Sequence, residues 1–351
     1  MIQKHNRIVS LNLPQMKVLF ALWFFVLYLF SSACVAQDIH FSQFNASPLN
    51  INPAFTGSFD GDYRFMGNYR SQWSSVTIPY KTISLGADAH NFLQNENVGA
   101  GVLINNDKTG DSQLKTFHFM LSGSYKKSLD EDLKHQLIGG LQLGIAQKHI
   151  DYDDLQFDSQ YDGYLFNSAA SNNESFKNEG QLYPIINLGA LWQYQNERTK
   201  ANFGLSLYNV NSPKQSFFNK AQIKLDRRLN IHGGGQVPLS KKVELLPSLL
   251  YMKQGSFSEF MIGTFGKLIL TNDAYHYQAI YLGTWLRTGD AGCLVAAMDY
   301  DNINVGFSYD LNYSDLREAS SRKGGFEISF RYIIKDKPIG RVKYTICPDY
   351  I

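Results

Sequence analysis

The feature that most constrains this chain is a period-two alternation sustained for ten residues or more. In Ile303–Tyr313, Ile303, Val305, Phe307, Tyr309, Leu311 and Tyr313 fall on one face, and Asn304, Gly306, Ser308, Asp310 and Asn312 on the other. Phe326–Tyr332 and Ile83–His90 repeat the pattern. A strand places successive side chains on opposite faces, so such a segment is half apolar and half polar. Sandwich strands alternate too, but run about five or six residues. Strands that cross a bilayer need about 9–11.

This reading predicts fourteen strands, at 62–72, 82–92, 98–107, 114–127, 135–149, 185–196, 201–211, 227–238, 242–254, 257–270, 275–288, 291–300, 303–312 and 325–335. An even count is what a single-chain bacterial barrel requires. The three longest connections, 150–184, 212–226 and 313–324, all follow odd-numbered strands. The connections near Asn95, Glu197, Ser240 and Asp273 follow even-numbered strands and are short. Short periplasmic turns and long outer loops produce this asymmetry when both termini are periplasmic. The expected fold is therefore an all-β transmembrane antiparallel barrel in the outer membrane.

The N-terminus fits export. Val18–Phe30 is an unbroken apolar run, preceded by Lys17 and followed by small residues up to Ala36. It is too short for a spanning helix and has the order of a secretory signal. Residues 1–36 are read as that signal, with either Met1 or Met16 as the start. Cys34 leaves lipidation as an alternative, although Ser31 stands where a lipid-modified cysteine usually has leucine. No later apolar run reaches spanning length, so a closed barrel is the remaining way across a bilayer. The 33 basic residues, less Lys4, Arg7 and Lys17, leave 30 against 31 acidic ones. A near-neutral chain carries no sign of nucleic-acid binding. Cys293 and Cys347 remain after cleavage, either as one bridge or as free thiols.

Two segments fall outside the barrel, 62–335. Residues 37–61 are too apolar to float free and contain Pro48 and Pro53, which disfavour a long helix. They are expected to plug the lumen or line its periplasmic mouth. Residues 336–351 form a periplasmic tail. Arg64, Arg70, Asp88 and Glu327 are expected to face the lumen, and Tyr69 and Trp73 to join an aromatic girdle. Gly233-Gly234-Gly235 marks a bend or a close approach within a strand. The loop 150–184 is rich in Asn, Ser, Asp, Tyr and Phe and reads as a mobile loop or a partner-binding lid. Asp151, Asp153, Asp154 and Asp158 lack the glycine and terminal glutamate of a calcium loop. No protease, nucleophile-elbow or P-loop pattern occurs, and no histidines are spaced as metal ligands. The expectation is a non-enzyme with no metal and no cofactor.

FSQFNASPLNINPAFTGS (41–58), YRSQW (69–73), VGAGVLINNDKTG (98–110), LRTGDA (286–291), VGFSYDLNYSDL (305–316), GGFEISFRY (324–332) and Cys347-Pro348 occur in this order. Together they resemble the PorP/SprF family of the type IX secretion system. The resemblance implies an outer-membrane protein of Bacteroidetes that helps export or surface-anchor a large adhesin, as in gliding motility. It implies recognition of the cargo's conserved C-terminal domain. Periplasmic ring components and a peptidoglycan-binding protein are the implied neighbours. Contacts are expected from Phe41, Gln43, Phe44, Pro53, Phe55, Tyr152, Tyr161, Tyr164, Phe166, Cys347 and Pro348. The competing expectation is a fatty-acid-transporter-like barrel for small hydrophobic molecules.

Overall fold

The computed structural model describes residues 38–335, apart from 75–77, 111–113, 151–154, 156, 168, 171–179, 218–222, 274–275, 315–317, 319 and 321–322. Fourteen strands form one closed antiparallel barrel in which each pairs with its neighbours in sequence. They are β1 (Tyr63–Gln72), β2 (Tyr80–Ala89), β3 (Val98–Thr109), β4 (Leu114–Ser128), β5 (His135–His149), β6 (Gly180–Asn196) and β7 (Thr199–Tyr208). Then follow β8 (Arg228–Pro238), β9 (Val243–Gln254), β10 (Phe257–Asn272), β11 (Tyr277–Arg287), β12 (Ala291–Tyr300), β13 (Ile303–Asn312) and β14 (Lys323–Ile334). The seam closes from Tyr63↔Ile334 to Gln72↔Gly325. Among the described residues no helix is long and apolar enough to cross a membrane.

An even strand count returns the chain to the rim where the barrel began. We call this the near rim and its opposite the far rim. The long connections 150–179, 209–227 and 313–322 lie at the far rim, as the loop asymmetry predicts. On β4, Lys115 and Lys127 face outward and bracket the apolar row Phe117, Phe119, Leu121 and Tyr125. At about 3.3 Å per residue and a tilt of about 40°, the stretch between them spans roughly 30 Å, enough for the hydrocarbon layer.

The largest boundary difference is at β6, which begins at Gly180 rather than near residue 185, upstream of Pro184. Residues before Leu188 pair with β5 but not in ladder with β7. Proline is tolerated there because that edge requires no ladder donor. Pro247 sits at a comparable place. The β8–β9 ladder lapses between Gly234↔Ser248 and Val237↔Leu245, beside the Gly233–Gly235 run.

Candidate functional site

The site is the filled lumen. Residues 38–62 run through the barrel from the far rim to the near rim by way of three single-turn 3-10 helices, Phe44–Ala46, Pro48–Asn50 and Pro53–Phe55. Asp38 lies at the far rim, where its backbone N–H donates to Gln254 at 2.9 Å and its carboxylate accepts from Asn209 at 2.7 Å. At the near rim Ser58 bonds Gln193, and the Asp62 N–H donates to the Ile334 carbonyl at 2.8 Å. Prolines explain why no long helix forms. The backbone groups freed by these breaks are met by polar side chains on the wall, as buried amides require.

Three contact zones hold this plug. The first is a charged latch near the far rim. Glu327 accepts from the backbone N–H of Ser42 at 2.6 Å and of Gln43 at 2.8 Å, and it pairs with Arg70 Nε at 3.1 Å. Asp310 accepts from Ser42 Oγ at 2.8 Å and lies 3.5 Å from Arg70 and 3.4 Å from Arg287. Arg70 also donates to the His40 carbonyl at 2.6 Å. The latch joins β1, β11, β13 and β14, so it bridges the seam. Glu259 completes the latch, 3.6 Å from Arg287 Nε and 3.7 Å from His40 Nε2.

The second zone lies mid-lumen and is uncharged. Asn52 Nδ2 donates to the Ala190 and Leu205 carbonyls and meets His232 Nε2 at 3.0 Å. Asn230 donates to the Ile51 carbonyl at 2.8 Å, and Tyr208 to that of Leu49 at 2.9 Å. The wall is hollowed here. A Cβ on Gly140 would collide with the Ala54 backbone, and one on Gly189 with the Asn52 side chain. On the opposite side Phe44 and Ile51 pack into an apolar cluster with Leu250, Met252, Met261, Trp285, Cys293 and Val295.

The third zone is near the opposite mouth. Arg64 grips Asp88 through Nε at 2.9 Å and Nη2 at 2.7 Å, and the same pair takes the Phe55 carbonyl and the Gly57 N–H. A separate charged network at this end joins Arg198 and Lys267 through Glu244, with Gln236 donating to the same carboxylate, and its bonds run between wall residues.

The structure places Arg64, Arg70, Asp88 and Glu327 in the lumen, in the two charged zones. Arg287, Asp310 and Glu259 join the far-rim latch, and Arg228 separately donates to the Ile39 and Asn50 carbonyls; these were missed, although the same alternation marks each as polar-face. Phe41, Gln43, Phe44 and Pro53 are buried and Phe55 is half-buried against the wall. Their reading as partner contacts is therefore corrected: these side chains are consumed in holding the plug. Tyr161, Tyr164 and Phe166 sit together at the far rim and are exposed, Tyr164 at 89%. There Tyr161 bridges to Phe166, and Asp162 accepts from the N–H groups of Tyr164 and Leu165. Tyr152, Cys347 and Pro348 lie outside the described residues, as do Asp151, Asp153 and Asp154. Tyr69 faces lipid beside Phe326, and Trp73 meets Tyr80 edge-on at 4.6 Å.

A fourteen-stranded barrel with an apolar belt and a lumen filled by its own N-terminal segment defines a plugged outer-membrane β-barrel. Within that class the chain belongs to the PorP/SprF family: the family model for the type IX secretion system membrane protein PorP/SprF matches residues 33–332. No curated protein matches it by sequence. Similar solved structures include the toluene transporter TbuX of Ralstonia pickettii, at 10% identity, TM-score 0.49, and coverage of 82% of this chain and 94% of that one. A FadL homologue of Pseudomonas aeruginosa is 10% identical with TM-score 0.45, covering 80% of this chain and 92% of its own. At such values the likeness says nothing about a ligand.

Proposed function

We propose that this barrel is a non-catalytic docking part of the type IX secretion system, with the near rim in the periplasm. It holds a large adhesin-type cargo at the outer membrane through the cargo's C-terminal domain. Family membership supports the system. The observation that carries the docking reading is the occupied lumen. With residues 38–62 bonded to strands around the circumference, contacts with other proteins fall to the rims. At the far rim the turn at Tyr161–Phe166 displays Tyr164 and Leu165 on a backbone fixed by Asp162, which presents apolar area at low ordering cost. Periplasmic ring components and a peptidoglycan-binding protein are the partners proposed for the near rim.

The test is crosslinking of the native protein in its own membrane, followed by identification of what is captured. Recovery of an adhesin or a type IX component supports the reading, and capture of neither sinks it. Tyr164→Ala with Leu165→Ala should reduce adhesin recovery several-fold while leaving the barrel folded. Uptake of small hydrophobic molecules by reconstituted wild-type protein would instead favour a transporter.

A further inference from the structure

The strand register brings together a set of cations that no single strand reveals. Lys81 pairs directly with Lys108, Lys108 with Lys115, and Lys115 with His149. All four side chains point away from the lumen, because their neighbours Thr82, Asp107, Thr116 and Lys148 occupy the inward parity. The result is a lateral row across β2, β3, β4 and β5 at the far rim, with directly opposed Cβ atoms about 5 Å apart.

Like charges set opposite one another in a sheet are destabilising. In the strands elsewhere at this rim, Lys253 lies between Leu229 and Ser258 and Lys323 opposes Leu311, while in the connection 209–227 Lys214 bridges to Lys224. Lysine ion pairs among the described residues belong to Lys134, Lys267 and Lys335, and none to Lys81, Lys108 or Lys115. The surface below the row fixes its depth. One step toward the bilayer centre, the same face carries Ile83, Asn106, Phe117 and Gln147, and the next step Leu85, Ile104, Phe119 and Ile145. The lysines therefore stand where hydrocarbon gives way to headgroups.

From this juxtaposition we infer that Lys81, Lys108, Lys115 and His149 form a binding site on the outer wall for the phosphates of an anionic membrane lipid. Its acyl chains lie along the Leu85–Ile104–Phe119–Ile145 surface. Three ammonium groups on flexible stems supply the donors, and a phosphate set among them replaces mutual repulsion with charge-assisted hydrogen bonds. Screening by salt alone would leave no reason to cluster the lysines on adjacent strands. The site faces outward from the wall and uses no contact of the plug or of the Tyr161–Phe166 turn, so it stands independently of the cargo reading.

The test compares the full-length barrel with its Lys81→Gln/Lys108→Gln/Lys115→Gln variant in phosphatidylcholine nanodiscs, with and without added diphosphorylated lipid A. Native mass spectrometry counts retained lipid A, and thermal unfolding reads stabilisation. Wild type should retain lipid A and melt higher with it, and the variant should lose most of both effects. In neutral detergent without the lipid the variant should melt at the same temperature or higher, since repulsion is removed. A lower melting point there would make the lysines structural and overturn the site. Equal retention by both proteins overturns it, as does equal stabilisation of wild type by inorganic phosphate, which would assign the row to soluble anions. Lys253→Gln/Lys323→Gln is the control and should match wild type throughout.

Discussion

Two of the charged lattices in the lumen are of similar make-up and do different work. Near the far rim, Arg70, Arg287, Asp310, Glu327 and Glu259 surround Ser42 and Gln43, and the plug's own N–H groups complete the coordination of Glu327. At the near rim, Arg198, Glu244 and Lys267 satisfy one another across the wall. Removing the plug would strand the first lattice and leave the second intact. Buried ion pairs are thus poor markers of function by themselves, and what matters is whether a movable segment is one of the partners.

The harshest way to break this comparison is to delete residues 38–61. The first lattice would then hold three carboxylates and two guanidiniums beside an empty channel. The expected outcome is a large fall in the thermal midpoint in detergent and the appearance of ion conductance in planar bilayers. An unchanged midpoint with no conductance would show that the segment does not plug the barrel. Glu327→Gln is the next largest. It turns one of the two oxygens that accept from the plug amides into a donor and removes the charge that pairs with Arg70, and breaking a buried pair costs about 3–5 kcal/mol. Glu244→Gln should cost less than Glu327→Gln, because Arg198 is 40% exposed at the mouth and water replaces its lost partner, so that only Lys267 loses a buried one. Conductance separates the two more cleanly than stability. It should appear intermittently with Glu327→Gln and not at all with Glu244→Gln.

The barrel was legible in the sequence because lipid outside and a polar lumen inside impose period two on every strand. That alternation located all fourteen strands, and loop asymmetry placed the long connections on one rim. It also identified Arg70 and Glu327 as inward-facing. It did not show that they meet, since cross-strand partners depend on register and on the path of the plug. The same limit explains the glycines. Gly233–Gly235 stand out as a run, yet the closest approach to the plug is at Gly140 and Gly189, which are unremarkable until Asn52–Ala54 lies against them. The aromatic and proline-rich stretch 41–58 looked like a contact surface because apolar residues outside a barrel strand need a partner. The partner proved to be the chain's own wall. The lysine row was likewise invisible, its members being spread over three strands.

Gly139 and Gly140 sharpen the contrast between wall faces at the scale of one methyl group. Gly139 faces lipid and an added Cβ meets nothing, whereas on Gly140 it meets backbone of the plug. Gly140→Ala should destabilise by an amount typical of overpacking, about 1–3 kcal/mol, and lower the midpoint accordingly, while Gly139→Ala should be neutral or slightly stabilising. Equal effects would mean that the plug does not pass this point.

The smallest expected effect lies at the exposed end of the near rim, where Lys335 Nζ meets Asp60 at 2.9 Å. The hydrogen bond from Lys335 holds the Asp60 carboxyl below its ordinary value despite some burial. A carboxyl depressed in the folded state contributes stability above its unfolded pKa and loses it as pH falls through the folded one. The contribution should therefore be present at neutral pH, begin to fade near about pH 4 and vanish only below the lowered folded value. Asp60 is 81% exposed, so the pair is worth only about 0.5 kcal/mol. The midpoints of wild type and Asp60→Asn should differ slightly at pH 7 and converge in acid. A difference that persists undiminished at about pH 2 would mean that Asp60 acts through plug packing rather than charge, and the near-rim end of the plug would then be held much as its far-rim end is.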